Sequence, residues 1–243
     1  MNPTITRATA YRLLTQLRHD RRTVALLFGV PIVLMVLVRY VFNETLVFNH
    51  IAPSLLGIFP FTVMFLVTSV ATLRERTTGT LERLMTTPMA KLDLLLGYAI
   101  AFGLLAVLQV VVVVTVTLWL GLDIAGSLWL LLLIAVLDAL LGTALGLFVS
   151  AFARTEFQVI QFMPAIVMPQ ILLSGLFVAR DQMARPLEWL SDVLPLSYAV
   201  DATNDVTTST DLTGALARDL LVIAAAAALA LTLGAATLRR QTR

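Results

Sequence analysis

"RERTTGTLERLMTTP", residues 74–88, is a polar island between two long apolar runs. It gathers Arg, Glu and Thr around a single Gly and closes on a Pro. The runs on either side decide the fold. A helix crosses a hydrocarbon layer with about 20 mainly apolar residues. Six such stretches are present: 24–42, 55–73, 94–120, 128–152, 158–179 and 219–238. The 243 residues are 59% hydrophobic and 13% charged, against about 25% charged in soluble domains. The sequence therefore predicts an all-α polytopic membrane protein with six transmembrane helices. The quoted stretch belongs to an internal loop, 74–93, between spans 2 and 3. Six spans and their loops occupy nearly all of the chain, so no soluble catalytic domain is expected within it.

Charge distribution sets the expected orientation. With the N-terminus cytoplasmic, the inner segments hold Arg7, Arg12, Arg18, Arg21 and Arg22; Arg74, Arg76, Arg83 and Lys91; Arg154; and Arg239, Arg240 and Arg243. The outer loops hold only Arg180, Arg185 and Arg218. Positive residues accumulate on the cytoplasmic side, so both termini are expected inside a cell inner (cytoplasmic) membrane. The basic balance is thus a topology signal, and no nucleic-acid partner is expected. There is no cysteine, so no disulfide or thiol reading arises. The polar and basic N-terminus lacks the short apolar core and small-residue cleavage site of a signal peptide.

Residues 1–23 are expected to be a cytoplasmic segment ahead of a six-span domain, 24–243. Within it Ala10, Leu13, Leu14 and Leu17 follow i, i+3, i+4, i+7 spacing among basic neighbours. That pattern fits an amphipathic interface helix on the membrane surface; a simple basic flank is the other reading. The segment 180–218 is the longest outer stretch. Pro186 suits a first helical turn there, Trp189 suits the headgroup zone, and Pro195 ends that helix.

In the loop, Gly79 and Thr80 break one helix and start another. Thr80 is a candidate N-cap, and Glu82 in the first turn complements the positive helix end. Leu81, Leu84 and Met85 share a face, Arg83 points elsewhere, and Pro88 stops the helix after two turns. A short amphipathic helix tethered by two spans can dock in a partner's groove; a surface helix that only shapes the loop is the plainer reading.

Polar residues inside the spans are the candidates for a substrate pathway: Gln109, Asp138, Gln158, Gln161 and Gln170. Asp138 is mid-span, where an acid is costly and faces protein or water. Gly142, Gly146 and Ser150 follow it at steps of four, a small-residue face suited to close helix contact. Asp138 thus reads either as a proton or substrate contact or as an acid satisfied by a neighbouring helix. The chain has no G-x-x-x-x-G-K-[ST] phosphate loop, no H-E-x-x-H and no G-x-S-x-G. Its two histidines, His19 and His50, fall on opposite expected sides, so no catalytic residues and no metal site are expected.

The stretch Arg74-Glu75-Arg76, Gly79-Thr80-Leu81-Glu82, Leu84 and Thr87-Pro88 resembles the signature loop of type-2 ABC exporter permeases, the family of the daunorubicin-resistance permeases. "LSGLFVARDQMARPLEWLSDVLPLSYAVDA", 173–202, adds to the likeness through Ser174, Gly175, Phe177, Met183, Pro186, Trp189, Pro195 and Tyr198. In two places the chain departs from the family pattern. Ala179-Arg180 stands where many relatives carry a Pro, and Asn204-Asp205 where many carry an Arg. The resemblance implies an outer hairpin after span 5 and a multidrug efflux or related transport role. It implies two permease chains, alike or related, with two copies of a separate ATP-binding subunit that carries ATP and Mg. It makes 74–93 the coupling loop, with Glu75, Arg76, Gly79, Thr80, Leu81, Glu82, Arg83, Leu84 and Pro88 at the ATPase contact, Glu75 and Glu82 as its polar contacts. A hydrophobic or amphiphilic substrate would move outward. The competing expectation is a self-contained proton-linked carrier or channel using Asp138.

Overall fold

The computed structural model describes residues 3–79, 91–210 and 214–237, all of its regular structure helical. Six of its helices are long and apolar enough to cross a membrane. In chain order the elements are α1 (Pro3–His19), α2 (Arg21–Phe42), α3 (Thr45–Thr77), α4 (Lys91–Trp119), α5 (Leu128–Val149), α6 (Glu156–Leu173), α7 (Arg185–Val193), α8 (Pro195–Thr208) and α9 (Gly214–Thr237). The six spans are α2 to α6 and α9.

The centre of the bundle is the α3–α5 contact, with α9 and α8 packed around it. Lipid tails are as apolar as leucine, so spans associate through close packing. Glycine supplies it here. A Cβ on Gly142 would fall 2.2 Å from the Phe61 carbonyl oxygen, and one on Gly146 would fall 2.5 Å from that of Phe65. Both steps are four residues in the same direction, so α3 and α5 run parallel. The same register one turn back puts Asp138 at the level of Gly57.

α1 turns Thr6, Thr9, Ala10, Leu13 and Leu17 inward, with Leu14 partly buried beside them. It lies along the start of α4, where a Cβ on Gly97 would meet the Thr9 Cβ at 2.7 Å. Protein, not lipid alone, covers that face. Asp20 then caps α2, accepting from the Arg22 and Thr23 amides at 3.1 and 3.3 Å and from the Thr23 hydroxyl at 2.7 Å. The Thr23 hydroxyl and these amides hold the Asp20 carboxyl below its ordinary range, outweighing partial burial.

Three boundaries differ from the sequence reading. The segment 43–54, between the first two apolar runs, is mostly helix, because α3 begins at Thr45 and continues through Pro53 and Pro60. Burial of Phe48 and Ala52, each at 0% exposure, outweighs the hydrogen bond that Pro53 cannot make. Span 5 ends at Leu173 and not near 179. Ser174 closes the helix, and Gly175 takes φ 95°, a left-handed backbone that stops it.

The third difference is the largest. Pro195 does follow the end of α7, but it also opens a further helix, α8, which the sequence reading left as outer segment. Leu196, Ala199, Val200, Ala202, Thr203 and Val206 of α8 are buried against α3, α5 and α9. The Ala125 and Gly126 amides donate to the Thr207 and Val206 carbonyls at 3.0 Å, tying the α4–α5 turn to the end of α8.

Candidate functional site

Charged groups concentrate at the two ends of the bundle, and a few polar side chains are buried inside it. At the end that carries the α3–α4 loop, the last turns of α3 present Arg74, Glu75 and Arg76. Gly79, at φ 69°, terminates that helix as the sequence expects. Thr80, Leu81, Glu82, Arg83, Leu84 and Pro88 lie outside the described residues.

Glu75 is 2% exposed and forms an ion pair with Arg12 of α1, at 3.0 Å. Its carboxylate is engaged within the chain, and it fastens α1 to α3. Arg74 bridges two carboxylates. Its Nε and Nη2 donate to Glu156 Oε1 and Oε2 at 2.7 and 3.1 Å, and its Nη1 donates to Asp20 Oδ2 at 2.9 Å. Arg76 is partly buried, and its Nε and Nη2 have no hydrogen-bond partner among the described residues. Asp20, Arg12 and Glu156 were not singled out by sequence reasoning. Each is an ordinary charge in the sequence, Arg12 within α1 and Asp20 and Glu156 at helix starts, and only the convergence of α1, α2, α3 and α6 gives it a partner.

Inside the spans the five pathway candidates separate into different settings. Asp138 and Gln109 are 0% exposed, and none of their side-chain polar atoms has a hydrogen-bond partner among the described residues. They lie on α5 and α4, helices that touch at Gly103 and Leu140. Gln170 is buried and donates to the Ile166 carbonyl at 3.3 Å. Gln158 is at the start of α6: Thr155 accepts from its amide at 3.2 Å, and its own side chain accepts from the Arg154 amide at 2.9 Å. That is a helix-capping arrangement. Gln161 is exposed. No hydrogen bond joins any two of the five.

The hairpin end holds a cavity of about 660 Å³. Asn49, His50 and Ser54 of α3 line it with Gly175, Arg180 and Asp181, Glu188 and Asp192; Asp201 and Asn204 of α8 and Arg218 complete it. Arg180 lines it, paired with Asp192 and Asp201 and 4.9 Å from the Tyr198 ring. The Ser54 hydroxyl and the Asn204 amide are hydrogen-bonded at 3.0 Å. The two positions that depart from the family pattern, Arg180 and Asn204, therefore face one cavity.

The remaining hairpin residues build its frame. Ser174 is buried and donates to Ile171 O at 2.9 Å. Ser191 and Ser197 both donate to the Leu173 carbonyl, at 2.7 and 3.2 Å. Tyr198 donates to Asp192 O at 2.7 Å. Pro186 sits in the first turn of α7, and Trp189 is 70% exposed on the same helix.

A multi-pass helical bundle with a polar loop between spans 2 and 3 and a packed helical pair before the last span is the setting for comparison with known proteins. The sequence pattern of the family described as "ABC-2 type transporter" matches residues 5–206. The chain belongs to the ABC-2 type transporter family. The match runs from α1 through α8, so the hairpin lies within the family's domain. Similar proteins include the "Probable multidrug ABC transporter permease YbhR" of Escherichia coli, 29% identical over 171 residues, covering 70% of this chain and 46% of that protein. The "Probable multidrug ABC transporter permease YbhS" of the same organism is 30% identical over 165 residues, covering 67% and 44%. "ABC transporter G family member 20" of Dictyostelium discoideum is 26% identical over 159 residues, covering 65% and 22%. The aligned stretch spans less than half the length of each.

Proposed function

We propose that this ABC-2 chain is the membrane permease of an ATP-driven exporter. A second permease chain and two copies of a separate ATP-binding subunit complete the machine, and ATP and Mg bind on that subunit. The cargo is hydrophobic or amphiphilic: a drug, a lipid or a lipid-linked compound, moved outward across the inner membrane. Both termini and the 74–93 loop face the cytoplasm in this reading. The observation that carries it is the family match over residues 5–206, together with relatives named as multidrug permeases.

The loop then takes the ATPase contact through Glu82, with Leu81 and Leu84 as apolar anchors. Glu75 supports it from behind, since its carboxylate holds α1 against α3. The test is co-purification followed by transport in vesicles. An ATP-binding chain should copurify and drive ATP-dependent accumulation, and Glu82→Arg should lower transport while membrane insertion persists. Uphill transport by this chain alone would overturn the proposal.

One observation favours a second reading. Both Asp138 oxygens are buried without a partner among the described residues, which suits a proton-linked carrier or channel. That reading requires transport to stop when the proton gradient is dissipated and in Asp138→Asn, whatever the ATP level.

A further inference from the structure

α6 is a sparsely covered span. Phe157, Ile160, Met168 and Leu172 along it are exposed, and its protein contacts are with α3 and, at the hairpin end, with α7 and α8. At the loop end it meets α3 through two features. One is a small apolar cluster of Leu73, Ala153 and Val159, flanked by Val70 and by Phe162, which also packs against the main core. The other is the two-pronged Arg74–Glu156 pair, at 2.7 and 3.1 Å.

Arg74 does more than fasten two helices. It lies in the last turn of α3, five residues before the helix-ending Gly79 and next to Glu75, which is tied to α1. Its third donor nitrogen holds Asp20, the cap of α2. Glu156 lies in the first turn of α6, directly after the Thr155 cap. One guanidinium therefore connects the start of α2, the end of α3 and the start of α6. Arginine suits this role because its planar fork offers five donors in fixed directions; a lysine ammonium could not span the three oxygens in the same geometry.

The strength of the joint matters as much as its position. Arg74 and Glu156 are 42% and 48% exposed, and ion pairs of such exposure contribute little to stability. A weak pair over a small apolar cluster can be remade as helices shift. It is suited to steering and not to holding the bundle together.

We propose that Arg74 is a positioning residue for coupling, passing displacement of the 74–93 loop into α6 through Glu156 while Asp20 keeps α2 in register. This rests on the exporter reading. When the loop is pushed, the last turn of α3 moves, and α6, exposed along much of its length, follows at its loop end.

The experiment compares wild type with Glu156→Gln, Glu156→Asp and Arg74→Lys, each co-purified with its ATP-binding chain and reconstituted in vesicles. The readout is substrate moved per ATP hydrolysed. A merely structural role would lower transport and hydrolysis together and leave this ratio unchanged. The expected result is a fall of about fivefold in Glu156→Gln, the lower end of measured coupling between sites, a fall at least as large in Arg74→Lys, and recovery in Glu156→Asp. The absence of cysteine permits a second readout: spin labels at Thr77→Cys and Phe157→Cys, whose separation should change with nucleotide in the wild-type complex and lose that response in Glu156→Gln. A normal ratio and a normal nucleotide response in Glu156→Gln would overturn the inference and leave the exporter reading standing. Failure of any ATP-binding chain to copurify or drive transport would remove the exporter reading, and this inference with it.

Discussion

Gly142 of α5 presses against Phe61 of α3 so closely that a methyl group would overlap the Phe61 carbonyl, 2.2 Å from its oxygen. The obstacle is backbone, so it cannot rotate away as a side chain would. This contact sets the spacing of the two central spans and, through the parallel register, the depth of Asp138.

Gly142→Ala should therefore separate α3 from α5. Overpacking a close contact costs about 1–3 kcal/mol, and at this distance the upper part of that range is expected. Gly29→Ala serves as the control, because nothing lies within 4 Å of a Cβ there. Thermal unfolding in detergent should show a lowered midpoint for Gly142→Ala and an unchanged or raised one for Gly29→Ala. Equal midpoints would mean that the α3–α5 packing is looser than described.

Removing Arg12 leaves a buried carboxylate alone. Glu75 is 2% exposed and Arg12 32% exposed, so the loss should fall below that of a fully buried pair, about 1–3 kcal/mol. Limited trypsin digestion reads it directly, since a loosened α1 exposes its arginines. Arg12→Ala should be cut faster than wild type, and the double variant Arg12→Ala with Glu75→Ala should recover part of the protection. A double variant no better than the single one would argue against the pair.

The hairpin end should respond to pH through Asp201, which lies outside the six spans. Burial holds its carboxyl above the ordinary value of 3.8, against the hydrogen bond and charge of Arg180, and Asp219 and Asp205 push the same way. A raised folded value means that the folded hairpin binds the proton more tightly than the unfolded chain. Stability should rise as pH falls through the folded value of Asp201, with the gain complete below 3.8. Melting midpoints of wild type and Asp201→Asn isolate the effect: wild type should gain on the variant as pH falls toward the ordinary carboxylate value of 3.8. A constant difference would mean that Asp201 does not titrate there.

Asp138 offers a stability test and a functional test together. Its oxygens are buried without partners among the described residues, so Asp138→Asn and Asp138→Leu should insert and fold at least as well as wild type. Removing a mid-span acid favours membrane insertion by about 2–3 kcal/mol. On the exporter reading, ATP-driven transport survives Asp138→Asn. Complete loss of transport in a well-folded Asp138→Asn would favour the proton-linked reading.

The elements differ in how legible they were. Six spans were readable because each is an apolar run of membrane-crossing length, a property of composition and length alone. The inward stripe of α1 was readable from helical spacing, and the Gly142–Gly146 face from steps of four. The segment 43–54 falls between two apolar runs and so reads as a loop, whereas burial of Phe48 and Ala52 favours helix. α8 was missed for a different reason. Leu196, Ala199, Val200, Thr203 and Val206 do keep helical spacing, but small and hydroxyl-bearing residues give a faint apolar signal.

The candidate sites divide in the same way. Residues 74–88 and 173–202 identified the family by themselves, since motif and order survive in a linear string. Only the tertiary structure could decide what each charge faces. Arg74 meets Asp20 and Glu156 across 54 and 82 residues of chain, Arg12 meets Glu75 across 63, and Arg180 and Asn204 converge on one cavity. Apolar length is summed along the chain and can be read there, whereas an ion pair depends on distances that exist only once the helices have packed.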